Sequence, residues 1–267
     1  MVLYFIYFLV AALAAIDLLA VAAARKEAKR LAAVLYDLPD PERLSSFVPG
    51  QYPGALWDYI SRSGILEQAP GHTLRMRWKG SIRQNPRSRR QPSEGKFFMS
   101  ANTPALVEYA DVTTGLLSSR SILRALSPEG ARWSEKRWGF RLRPFFSDPE
   151  DIRRYLLFEY FAAGVWCPFI WLQPSLHWES DSNGNFFARP EPFLSLTLLF
   201  GSDGLPQSFS GDLGDCTVTY TYSGYQPLQG MLIPLRWKVE ISRFGTRYIY
   251  FEGRVTDMVT KGNFAWW

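Results

Sequence analysis

The sequence predicts an α+β fold, with one N-terminal transmembrane helix followed by a curved, mainly antiparallel β-sheet domain and a helix packed on it. Three observations predict this. The first 24 residues are apolar except for Asp17. Beyond residue 72 the apolar pattern changes to a period of two, in short runs broken by turn residues. A single long segment with a strong helix-start signal near Ser147 interrupts those runs.

The opening segment, as a helix rising about 1.5 Å per residue, is long enough to cross a hydrocarbon core of roughly 30 Å. The rival reading is a cleaved secretory signal, with Ala20-Val21-Ala22 or Ala22-Ala23-Ala24 as the cleavage site. A signal peptide wants positive charge before its apolar stretch, and none precedes Tyr4, so a retained anchor fits better. Arg25, Lys26, Lys29 and Arg30 follow the span, and such flanking cations stay on the cytoplasmic side. The large domain is therefore expected on the cytoplasmic face of its membrane. Cys167 and Cys216 show no C-x-x-C spacing, which agrees with that side while leaving a disulfide open.

Asp17 admits two readings. At the centre of a span a carboxylate costs about 2.5–3.5 kcal/mol and calls for a polar partner on another membrane helix. Alternatively the deep span is Val2 to Ile16, and Asp17 already lies near the interface.

The helical pattern continues through Leu31 to Leu38 and stops at Pro39 and Pro41. Residues 1–38 thus read as anchor and juxtamembrane helix. Residues 39–71 read as a linker with a short helix from Pro53 to Ser63, closed by Gly64. Residues 72–267 read as the β-rich domain. In His72 to Gly80, apolar Leu74, Met76 and Trp78 alternate with Arg75, Arg77 and Lys79, giving a half-buried strand with a cationic face. Further strands are expected at 96–100, 105–111, 131–143, 175–180, 186–189, 193–200, 216–222, 232–244 and 246–260. Turn chemistry suited to hairpins separates several of them, at Asn183-Gly184, Ser202-Asp203-Gly204 and Phe244-Gly245-Thr246. The soluble helix begins at Ser147-Asp148-Pro149-Glu150-Asp151, which combines a cap, a first-turn proline and acidic residues at the positive helix end. It is expected to bury Ile152, Tyr155, Leu156, Phe158, Tyr160 and Phe161, and to end near Gly164.

Arg154-Tyr155-Leu156 with Glu159, then Trp166-Cys167-Pro168, Trp178-Glu179, and later Gly230 with Ile233-Pro234 and Trp237 resemble a bacterial family described as a domain of unknown function. The match runs from about Trp78 to Val259 and departs between Lys96 and Leu126. The resemblance implies a β-rich fold and bacterial origin, hence a bacterial inner membrane for the anchor, and supplies no catalytic residues. The family is in turn similar, at the level of fold, to half-barrel sheets that carry lipid or lipoprotein tails. That similarity implies an apolar groove, for which Phe186, Phe187, Tyr220, Tyr222, Tyr248, Tyr250 and Phe251 are candidates. The same aromatics also suit the ordinary core of a sheet packed by a helix.

The chain carries no G-x-S-x-G, P-loop, G-x-G-x-x-G or H-E-x-x-H motif. His72 and His177 are its two histidines, and neither sits in a metal-ligand pattern. No metal or cofactor is expected. Glu159 and Glu179 could meet between helix and sheet, and a structural ion pair with Arg153, Arg154 or Arg189 is favoured over a catalytic pair with His177.

The net charge of +5 is unevenly placed. Arg75, Arg77, Lys79, Arg83, Arg87, Arg89 and Arg90 fall together with no acidic residue among them. On a tethered domain such a run suits anionic lipid headgroups, at about 1 kcal/mol per cation. No nucleic-acid-binding pattern accompanies it. Trp266 and Trp267 end the chain as candidates for docking at an interface. Together these features suggest a noncatalytic accessory subunit docking on a larger membrane complex, photosynthetic or respiratory. The alternative is a carrier or sensor of lipid or another apolar ligand.

Overall fold

The computed structural model describes residues 2–36, 52–64, 73–101, 103–115, 118–173, 176–182, 184–228 and 230–259. The fold is α+β. Helix α1 (Val2–Tyr36) is followed by α2 (Gly54–Arg62), then by strands β1 (Thr73–Ile82), β2 (Gln91–Ser100), β3 (Leu106–Gly115), β4 (Ser118–Ser127), β5 (Gly130–Arg137) and β6 (Phe140–Leu142). Helix α3 (Pro149–Ala162) and two 3₁₀ segments (Ala163–Val165 and Pro168–Leu172) come next. The chain then completes the sheet with β7 (Glu179–Ser180), β8 (Phe186–Glu191), β9 (Leu194–Phe200), β10 (Pro206–Asp212), β11 (Cys216–Leu228), β12 (Met231–Arg243) and β13 (Thr246–Val259).

All 13 strands join one sheet in the order β6-β5-β4-β3-β2-β1-β13-β12-β11-β10-β9-β8-β7, with antiparallel neighbours throughout. The first six strands form one meander and the last seven another, and β1 pairing with β13 joins them. The sheet curls around α3, which touches β4 and β5 on one side and β9 and β10 on the other. Asp148 caps α3 by accepting hydrogen bonds from the Glu150 and Asp151 amides, as the sequence signal requires. The helix and the 3₁₀ segments bury Phe158, Phe161, Trp166 and Trp171 in the main core. Leu56, Tyr59 and Ile60 of α2 join the same core, and the Tyr59 hydroxyl donates to the Val165 carbonyl at 3.0 Å.

A second, smaller core lies on the opposite face of β2–β5. There Ala24, Ala28 and Ala32 of α1 recur at helical spacing and meet Phe98, Val107, Tyr109 and Leu123. Small side chains let the helix approach the sheet closely. Ion pairs flank the seam, Arg25 to Asp111 at 2.7 Å and Glu27 to Arg132 at 2.5 Å. Asp17 accepts from both the amide (3.1 Å) and the hydroxyl (2.9 Å) of Ser119 at the start of β4. Helix α1 therefore runs down the outside of the sheet from one rim. Strand directions place the β1–β2, β3–β4, β5–β6, β8–β9, β10–β11 and β12–β13 connections on that rim. The apolar residues before Asp17 project beyond it, and Tyr4, Phe5, Tyr7 and Phe8 are exposed. Length and composition qualify this helix to cross a membrane.

Several expectations change in detail. The single strand expected over residues 131–143 is the β5–β6 hairpin, turning at Trp138-Gly139. Strands β4 and β10 were not anticipated, and the strand expected at 175–180 is reduced to Glu179–Ser180. Cys167 and Cys216 are both free and buried, so no disulfide forms between them.

Candidate functional site

Because β3, β4 and β5 are covered on both faces, alternate residues on each belong to different cores. Leu123 and Ala125 face α1, whereas Arg120, Ile122, Arg124 and Leu126 point toward α3. Two arginines thus enter the main core on one strand. Glu108 of β3 is the direct cross-strand partner of Arg124, and Trp133 of β5 lies opposite it on the other side. Helix α3 supplies Tyr155 and Glu159 from above.

These residues form a buried charged cluster. Arg124 pairs with Glu108 and, at 3.1 Å, with Glu159, and donates to the Tyr155 hydroxyl at 3.0 Å. Its guanidinium also lies over the Trp133 ring, 5.1 Å from the centroid. Tyr220 of β11 donates to Glu159 at 3.0 Å. A neighbouring pair, Arg120 and Glu135 at 3.4 Å, is equally buried, and the Trp133 indole donates to Glu135 at 3.0 Å. Around the Arg124 cluster lies a cavity of about 30 Å³, walled by Trp78, Phe97, Trp166, Trp237, Tyr250 and Phe251. Glu159 Oε2 and the Trp78 indole nitrogen, both from cavity-lining residues, are buried without a hydrogen-bond partner among the described residues.

Burial is the largest single influence on Arg124 and works against its charge, but the facing Glu159 carboxylate together with Tyr155, Tyr250 and Tyr220 outweighs it and holds the guanidinium protonated. Burial raises Glu159 above the ordinary carboxylate range, partly opposed by Arg124 and Tyr220. Burial likewise raises Glu135, opposed by Arg120. A carboxyl raised in the folded state keeps a proton that the unfolded chain has already released. Its contribution is therefore largest below the ordinary value of 4.5 and is lost as pH rises through the folded value. Glu159→Gln should remove this slope. The melting temperature of the variant relative to wild type is expected to rise between pH 4.5 and neutrality, and a difference independent of pH would refute the assignment.

The sequence-predicted residues distribute differently from expectation. Glu159 is ion-paired, but with Arg124, because β4 places that arginine directly under α3. Arg153 and Arg154 point instead to Glu191 and to Glu150 with Asp151, respectively. Glu179 is exposed on β7 and His177 is exposed beside it, so neither approaches buried Glu159. The two carboxylates do not meet, and Glu179 makes none of the expected ion pairs with arginine among the described residues. Asp17 accepts its hydrogen bonds from Ser119 of its own chain. Of the anchor-flanking cations, Arg25 is paired with Asp111, while Lys26, Lys29 and Arg30 lie on the exposed side of α1.

In the basic run, Arg75 and Arg77 approach Asp257, Lys79 pairs with Glu94, and Arg90 pairs with Glu252. Arg83, Arg87 and Arg89 lie on the β1–β2 connection with no ion pair among the described residues. Of the candidate groove aromatics, Tyr220, Tyr250 and Phe251 line the cavity. Tyr222 instead donates to the Ala162 carbonyl, and Phe186 packs on Phe200, both as ordinary core. His72, Trp266 and Trp267 lie outside the described residues.

No family model and no curated protein matches the chain. Two solved structures are similar in layout. One is a LolA superfamily protein from Nitrosomonas europaea, at 11% identity and a TM-score of 0.40, covering 77% of this chain and 93% of that one. The other, from Vibrio parahaemolyticus, is a domain described as an outer membrane lipoprotein-sorting protein. It is 7% identical with a TM-score of 0.39, covering 80% of this chain and 93% of that one.

Proposed function

We propose that this is a membrane-tethered binding protein for a lipid or another apolar ligand, held between the curled sheet and α3. The carrying observation is the combination of an aromatic-walled cavity with one convergent polar cluster, Arg124 with Glu108, Glu159 and Tyr220, whose hydrogen-bonding capacity is incompletely used. Apolar walls with a few placed polar groups are the pattern of small-molecule sites. The walls would take a chain or ring and the Arg124 cluster its polar end.

The present cavity of about 30 Å³ has room for a water or two, against roughly 300–1,000 Å³ for ligand pockets. Binding therefore requires α3 and the 3₁₀ segments to shift from the sheet, exchanging helix contacts for ligand contacts. The reading of an accessory subunit has no comparable observation behind it, since Asp17 is occupied within the chain.

Extraction of the full-length protein in a mild detergent, followed by mass spectrometry of proteins and lipids, tests the proposal. One lipid class enriched over the bulk membrane is expected, and it should be lost in Val239→Glu, which puts an unpaired charge in the cavity wall. Because that variant also strains the core, Glu159→Gln serves as the milder test and should alter headgroup preference. Bulk lipid composition in wild type, or fixed stoichiometry with other membrane subunits and no enriched lipid, would overturn it.

A further inference from the structure

Among the described residues, the large hydrophobic side chains exposed outside α1 are Phe140, Leu142, Phe193 and Phe244. All four lie at the rim from which α1 projects. Phe140 and Leu142 belong to the β5–β6 hairpin, Phe193 to the β8–β9 connection and Phe244 to the β12–β13 turn. Phe140, Phe193 and Phe244 are 73%, 69% and 83% exposed, so these three pack on little of the protein itself, while Leu142 is 36% exposed.

Two of these turns are built against local preference. Trp138-Gly139 and Phe244-Gly245 are two-residue hairpin loops with positive φ at both positions, 51° and 79° in the first, 49° and 72° in the second. Asn or Asp ordinarily takes the first position of such a turn, because a bulky side chain crowds the backbone there. Trp138 and Phe244 are the two non-glycine residues with positive φ among the described residues. Holding an aromatic at both tips signals a use for the aromatics.

The anchor geometry names the occupant. Asp17 is fixed to Ser119 at the rim, and the exposed apolar residues between Tyr4 and Ile16 leave the protein there. Exposed Leu18 and Leu19 continue that apolar surface past the fixed point, alongside the rim turns. A bilayer that takes up α1 therefore meets the rim at its headgroup region. Arg83, Arg87 and Arg89 on the β1–β2 connection and Arg141 and Arg143 beside Phe140 then face the headgroups, with no ion pair of their own among the described residues.

We infer that this rim is a docking surface for the anionic leaflet in which α1 is anchored, with the exposed rings of Phe140, Phe193 and Phe244 inserted at the interface and the arginines on phosphate. The inference rests on α1 crossing the membrane and is independent of the ligand. Its consequence for the site is that the end of the cavity wall carrying Ile82 and Phe251 is the end nearest the lipid.

Spin labels on single cysteines test it in the full chain reconstituted into phosphatidylcholine–phosphatidylglycerol nanodiscs. Cys167 and Cys216 are buried, so introduced surface cysteines label selectively. Phe140→Cys, Phe193→Cys and Phe244→Cys should show severalfold higher accessibility to oxygen relative to a water-soluble nickel reagent than Glu129→Cys and Ser202→Cys on the far rim. Leu9→Cys reports the anchor. Rim labels in water with Leu9→Cys in lipid overturn docking alone, and all labels in water overturn the anchor as well. If a rim variant fails to fold, Trp138→Asn with Phe244→Asn replaces it, since those turns relax. Faster hairpin amide exchange than wild type in the same nanodiscs then supports docking, and unchanged exchange overturns it.

Discussion

Arg124→Ala is expected to destabilise the extramembrane domain by about 3–5 kcal/mol, because it strands Glu108 and Glu159 in an apolar interior with no cation between them. The loss exceeds that of an ordinary core truncation of similar size, since the penalty falls on the two carboxylates left behind rather than on the volume removed. Urea unfolding followed through the near-ultraviolet signal of the tryptophans measures it. Arg124→Lys should recover part of the loss, because a point charge satisfies one carboxylate but cannot replace a fork that reaches Glu108, Glu159 and Tyr155 together. Arg124→Met combined with Glu108→Gln and Glu159→Gln should be markedly more stable than Arg124→Ala alone. A single-variant loss under about 1 kcal/mol would mean that water already reaches the cluster.

The same arginine explains why part of the fold was legible in sequence and part was not. Strands β1, β9, β11, β12 and β13 have one face in the core, so their period of two is clean. Strand β4, Ser118–Ser127, has Leu123 and Ala125 against α1 and Arg120 and Arg124 in the main core, so charged residues occupy the buried phase and the pattern reads as polar. The stretch from Lys96 to Leu126 fitted its resemblance poorly over the same two-faced region. Strand β10 was hidden differently. Of Pro206–Asp212 only Phe209 is large, and Gly211 must stay small because an added Cβ would lie 2.4 Å from Phe158.

Helix α3 was legible from its cap, and Glu159 could be picked out as a buried carboxylate. Its partner could not be, since nothing local links residue 159 to residue 124. The retrievable signal was Glu108 and Arg124 sharing a phase on two adjacent strands joined by a short connection. Recognising β4 as a strand would have exposed it. The rim was likewise present in sequence as Trp138-Gly139 and Phe244-Gly245, but the first pair was absorbed into one long strand. Only the shared rim, fixed by strand direction, connects those turns with the anchor.

The second large effect concerns the segment that must move if ligand enters. Gly164 lies in the 3₁₀ turn after α3, and a Cβ there would fall 2.2 Å from Trp171 Nε1 and 2.6 Å from Trp171 Cδ1. Trp171 cannot retreat cheaply. Its indole donates to the Phe161 carbonyl at 2.8 Å, and its ring stacks on Phe209 with an interplanar angle of 5°. Gly164→Ala should therefore cost about 1–3 kcal/mol in overpacking, with a further 1–3 kcal/mol if the Trp171 indole loses its acceptor while buried. Because the strain falls between α3 and the 3₁₀ segment over the sheet, amide exchange should accelerate there more than in β12 and β13. A moving plug also predicts faster exchange of bound lipid in this variant. If stability falls while lipid exchange stays at the wild-type rate, the plug is a fixed part of the core and the cavity behind it is not the ligand site.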